Sequence, residues 1–118
     1  MSHHYKRYSI EQLKNEKDVL KAKLEEAERL KQKNYIAVYK RKIEIVESYM
    51  LDQNQFQPGD KHRLKDDPNH LFEIDEISGV VAWGYRIDKN TYEQIDKKDT
   101  IAKLLTLLGE KVSFDKQR

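Results

Sequence analysis

With 118 residues, 37% of them apolar and 37% charged, the chain can bury one small core and has too little apolar surface for a second large one. A net charge of +2 argues for no polyanion, although residues 1–50 carry twelve Lys/Arg against eight Asp/Glu and residues 51–118 carry eleven against thirteen. Without cysteine there are no disulfides, thiolate nucleophiles or thiolate-held zinc; no apolar run nears the roughly 20 residues of a membrane span and MSHHYKRYS has no apolar signal core, so cytoplasmic residence is the default expectation.

Met1 to Tyr8 reads as a short solvated tail. Ser9 followed three residues on by Gln12 is a capping box, with Tyr8 and Leu13 placed as a hydrophobic staple. The first helix then runs through Leu13, Leu20, Leu24, Ala27 and Leu30, a narrow apolar stripe in which Lys17 stands where an apolar residue is due. Lys31-Gln32-Lys33-Asn34 interrupts it, and Asn34 is the expected cap of a second helix. Tyr35, Val38, Tyr39, Ile43, Val46, Tyr49 and Met50 recur at three and four residue steps and end it near Leu51. Two such helices on a short connection predict an antiparallel helical hairpin over residues 1–52.

Residues 53–118 read differently. Asp52 to Gln57 is a polar linker, Pro58-Gly59-Asp60 a turn, and Lys61 to Lys65 a short strand. Asp66-Asp67-Pro68-Asn69 is expected to turn into a hairpin spanning LFEIDEISGVVAWGYRI, residues 71–87, which tightens at Ser78-Gly79. Gly84, inside its second strand, predicts a bulge or a close backbone approach. A fourth strand is expected around Thr91 to Ile95, so that the strands make a small antiparallel barrel or a strongly curled sheet. Last, Asp96 as cap, Ile101, Leu104, Leu105 and Leu108 at helical spacing and Gly109 as terminator predict a C-terminal helix, with a loose tail from Val112.

The strings AVYKRKI (residues 37–43), SYMLD (48–52), FQPGD (56–60) and VVAWGYRI (80–87) resemble the YfhH family, small uncharacterised proteins of Bacillus-type bacteria, over Tyr8 to Ile95. The resemblance implies an α+β protein, a helical hairpin attached to an SH3-like antiparallel β-barrel, and it implies no catalytic residues. The terminal helix rests on periodicity alone.

The residues point to no reaction. Glu73 and Asp75 share the polar face of a strand, where carboxylates are solvated rather than held apart in pKa as a catalytic pair requires. His62 and His70 bracket a turn without a third ligand at a metal-site spacing, and no phosphate-binding or nucleophile motif is present. No cofactor is expected. Binding has more to stand on: Tyr35, Tyr39, Lys40 and Arg41 on the second helix, and Lys61, Arg63, Tyr85 and Arg86 on the strands, place aromatics beside charge. Trp83 is expected to fill the barrel core and Tyr85 to seal it, the alternative being that both line a binding face. The leading expectation is a non-enzymatic protein-interaction module that takes a protein partner or a second copy of itself and no membrane. The alternative is a nucleic-acid-associated regulator with Lys40, Arg41, Lys42, Lys61 and Arg63 on phosphates.

Overall fold

A computed structural model describes residues 3–96 and 99–112. The fold is α+β: two helices precede a five-stranded antiparallel sheet, and the chain divides into compact units Met1–Asp52 and Gln53–Arg118.

In the first unit α1 spans Ile10–Arg29 and α2 Lys33–Met50. The capping box closes as expected: the Gln12 amide donates to Ser9 Oγ at 3.1 Å and the Ser9 amide to Gln12 Oε1 at 2.8 Å. Leu13 and Leu20 of α1 bury against Ile43 and Val46 of α2, with Leu24, Tyr39, Ile45 and Tyr49 half-buried around them. Lys17, the polar break in the stripe, reaches across the hairpin to Glu47 at 2.9 Å, which pins the register of the two helices at the edge of the seam. The N-terminal stretch is no loose tail. His3–Arg7 forms a 3-10 turn whose Tyr5 is buried, meets Tyr8 and Tyr49 edge-on, and donates to Glu16 at 2.9 Å. Burying an aromatic ring outweighs the frayed state that the polar neighbours suggest.

The second unit orders its strands β4-β3-β2-β1-β5, with β1 Lys61–Leu64, β2 Asp67–Ser78, β3 Val81–Asp88, β4 Ile101–Leu104 and β5 Leu108–Val112. Phe72, Ile74, Ile87 and Leu105 are almost wholly buried, with Leu64, Leu71, Val80, Ala82, Leu104 and Leu108 close behind. Phe56 in the supposed polar linker is also buried, its ring 5.3 Å from that of His62. The β2–β3 turn is Gly79-Val80, with Gly79 at φ +62°. The bulge falls in β2: Ile74 faces Gly84 and Glu76 faces Trp83, leaving Asp75 as the extra residue. A side chain at Gly84 would overlap the Glu73 carbonyl, so this position accepts no Cβ.

Four expectations need correction here. The first turn of the sheet is Lys65-Asp66, and Pro68 lies early in β2 in a stretch that the β1 register skips, where its missing N–H costs no ladder bond. Thr91 to Ile95 is no strand; it lays a loop on the sheet through a single Ile87–Gln94 bridge. There is no C-terminal helix either. Ile101–Leu104 pairs with β3, Leu105–Leu107 makes one 3-10 turn, and Leu108–Val112 pairs with β1. A helix would have left both β1 and β3 with open rows of backbone donors and acceptors, and the two short strands satisfy them. Finally, β4 and β5 do not pair, so the sheet is open rather than a closed barrel. It is nonetheless strongly curled: five flat strands would set the edges about 19 Å apart, more than a three-residue turn can bridge. The expected tail at 113–118 lies outside the described residues.

Candidate functional site

The elbow of the helical hairpin is built by a helix end that contains no glycine. The Gln32 amide donates to Ala27 O at 2.9 Å and the Lys31 amide to Glu28 O at 3.1 Å, a Schellman closure with Lys31 at φ +58° in the place where glycine is usual. α2 then starts at Lys33 with Gln32 as an N-cap that makes no side-chain cap bond, so Asn34 is already inside the helix and does not cap it.

Because α1 offers only a narrow stripe, the first turns of α2 are left partly uncovered. Tyr35 is 54% exposed, Val38 44% and Leu30 48%, while Tyr39 is half-buried. The Tyr35 and Tyr39 rings stack at 6.1 Å, 21° from parallel. They wall an open groove of about 480 Å³, in which Ala22 and Ala27 are the small residues and Lys23, Glu26 and Gln32 supply polar atoms. Lys31 and Lys33 border the adjoining surface at Gln32 and Tyr35, Lys40, Arg41 and Lys42 are exposed farther along α2, and Arg41 leans on Glu44 at 3.3 Å. Tyr35, Tyr39, Lys40 and Arg41 thus share one helix. Leu30 and Val38, expected in the apolar stripes of the two helices, are exposed instead, and the left-handed turn at Lys31 has no sequence signal because no glycine marks it.

The four strand residues do not form one patch. Lys61, Glu73 and Tyr85 lie in one cross-strand row, with the Lys61 ammonium 3.9 Å from Glu73 and 5.9 Å from the Tyr92 ring. Arg63 is exposed near Glu110, at 3.6 Å. Arg86 is occupied inside the unit. Its Nε and Nη2 donate to the two oxygens of Asp96 at 3.1 and 2.8 Å, its amide donates to the same carboxylate at 2.9 Å, and Asp67 stands 3.7 Å away. Asp67 in turn holds His70 Nδ1 at 2.8 Å. The partner of Arg86, Asp96, was read in the sequence as a helix cap; a pairing across ten residues leaves no periodic trace.

Trp83 contradicts the core reading. It is 40% exposed, because the bulge at Asp75 and the fit at Gly84 put Ala82 and Gly84 on the inner face of β3 and Trp83 on the outer one.

The electrostatics are those of structural pairs. The hydrogen bond from His70 holds the Asp67 carboxyl below the usual carboxylate value, Arg86 does the same to Asp96, and the Thr91 and Asn90 amides do it to Asp88. His62 is buried, and its Nδ1 lies 2.9 Å from Gly109 O. Among the described residues no group of three His, Cys, Asp or Glu could hold a metal ion, and no helix is long and apolar enough to cross a membrane.

Fold and surface together define an α+β protein with an aromatic, basic elbow on a helical hairpin and a curled five-stranded sheet. The sequence model of the family described as "Protein of unknown function (DUF1811)" matches residues 3–108. The chain belongs to that family. It is also similar to the Uncharacterized protein YfhH of Bacillus subtilis (strain 168), 31% identical over 94 residues that cover 80% of this chain and 89% of that protein.

Proposed function

We propose that the protein is a non-enzymatic interaction module of the cytoplasm that docks a protein partner at the elbow of its helical hairpin. The observation that carries this reading is the exposed Tyr35–Tyr39 stack beside Leu30 and Val38. Exposed aromatic and aliphatic side chains gathered around a groove, rimmed by charge, are the composition of a protein-binding hot spot. The absence of cysteine suits a reducing compartment. Against an enzyme stand the shifted carboxylates, Asp67, Asp88 and Asp96, which are all stabilised in their charged forms by partners within the fold. A general acid or base needs the opposite, a group moved toward neutral pH. The sheet unit is read as SH3-like on its β5-β1-β2-β3-β4 order with a single 3-10 turn between the last two strands.

The test is affinity capture from native cells with the wild type and with Tyr35→Glu/Tyr39→Glu, each with and without nuclease. A protein retained by the wild type, lost with the double variant and indifferent to nuclease supports the reading. Retention that disappears with nuclease and falls steeply with salt transfers the elbow to nucleic acid, through Lys31, Lys33, Lys40 and Lys42. Sedimentation of the same pair of proteins decides whether the partner is a second copy: a dimer split by the double variant would make it so.

A further inference from the structure

The outer face of the sheet holds an arrangement that the elbow does not explain. The bulge sets two residues of β2, Asp75 and Glu76, against one residue of β3, Trp83. In such a bulge the two side chains on the long strand fall on about the same side as the residue they oppose. Both carboxylates are exposed, and among the described residues neither makes an ion pair or a side-chain hydrogen bond. On the opposite flank Trp83 faces Ala102 of the edge strand β4, itself exposed and too short to cover an indole. Tyr85, two residues along the same strand, stands opposite Glu73. The chain's one tryptophan is therefore open on its edge-strand side and bordered by unpaired negative charge on the other.

The chemistry of an occupant follows from these neighbours. An apolar partner laid on Trp83 would strip water from Asp75 and Glu76 and leave them uncompensated, and a phosphate would be repelled by them. A lysine or arginine meets both demands, since indole is the best aromatic acceptor of a cation and the carboxylates pair with the same charge. We propose that the Trp83 face of the sheet binds a cationic segment of a partner protein, a Lys or Arg seated on the Trp83 ring between that ring and the carboxylates of Asp75 and Glu76. The site is built from residues of the sheet unit alone and stands whether or not the elbow docks a partner.

The full-length protein carries its own reporter, because Trp83 is its only tryptophan. Hexalysine, hexaarginine, hexaglutamate and an uncharged Gly/Ser hexamer are titrated while Trp83 emission is followed, at low and physiological salt. Saturable changes with the two cationic peptides, absent with the other two, are expected. Asp75→Asn/Glu76→Gln, which keeps the reporter and alters only surface carboxylates, should weaken binding about tenfold, and Trp83→Ala should weaken dye-labelled hexaarginine by a similar factor in anisotropy. Circular dichroism confirms that both variants are folded. No saturable change with either cationic peptide, equal response to the uncharged one, or full affinity in the folded Asp75→Asn/Glu76→Gln protein would overturn the site.

Discussion

The helical hairpin closes its cap and several of its surface pairs within about one turn, Ser9 with Gln12, Arg29 with Glu26, Arg41 with Glu44, and only Lys17–Glu47 among its ion pairs of described residues crosses from helix to helix, whereas several of the sheet unit's clamps join residues far apart in the chain. Arg86 reaches Asp96, Lys103 reaches Asp66 at 2.7 Å, and His62 reaches Gly109, over separations of 10, 37 and 47 residues. The hairpin depends on one apolar seam and its local bonds are accessories; the sheet depends on contacts that exist only once the whole unit is assembled. Local pairs of this kind are worth a few tenths of a kcal/mol, and long-range charged hydrogen bonds several times that.

The largest effect should come from the centre of the sheet. Phe72→Ala empties a fully buried position and is expected to cost about 3–5 kcal/mol, seen as loss of the folded Trp83 signal at lower denaturant. Cutting the long-range clamp comes next: Arg86→Met should cost about 1.5–3 kcal/mol, while Arg41→Met in the hairpin should cost only a few tenths. Equal losses from the two arginines in urea titrations would erase the contrast between the units. Trp83→Ala should cost about 1–2 kcal/mol, less than a core tryptophan would, because much of the ring already faces solvent. Of opposite sign, Lys31→Gly should stabilise the hairpin by about 0.5–1 kcal/mol by relieving a left-handed lysine, with the gain read from the 222 nm melting curve.

Acid and alkali should separate the units as well. Burial, helped by the hydrogen bond to Glu16, pushes the Tyr5 hydroxyl from 10.0 up to about 12. The stability this raised group contributes is complete below its unfolded value and is lost as pH climbs from 10 toward 12, so the hairpin weakens on the alkaline side. Asp67 and Asp96 are depressed, by His70 and Arg86 respectively. Their contribution is complete above the unfolded value of 3.8 and fades as pH falls from there through the lower folded values, so the sheet weakens in acid. Trp83 emission should therefore report the acid limb, and Tyr5→Phe should remove part of the alkaline loss in ellipticity while leaving the acid limb in place.

The hairpin was legible in the chain because its rules are local. A capping box spans four residues, a helical stripe repeats within a turn, and both are present in the order of the side chains before anything folds. The same holds for Gly79 at a tight turn and for the close approach at Gly84. Of the binding residues, the stretch Tyr35 to Arg41 could be placed together for the same reason, since one helix carries it. The C-terminal region was not legible. Ile101, Leu104, Leu105 and Leu108 satisfy a helical repeat as well as they satisfy two strands and a turn, and the choice was made by the unpaired edges of β3 and β1, whose partner residues lie about 20 and about 50 positions away in sequence. Trp83 shows the same limit within a single strand. Strict alternation along β3 would put Ile87 on the face of Trp83, and Trp83 was expected inside; the structure instead buries Ala82, Gly84 and Ile87 and leaves Trp83 outside, an outcome settled by the bulge at Asp75 and the close approach at Gly84, contacts between strands that no pattern along one strand contains.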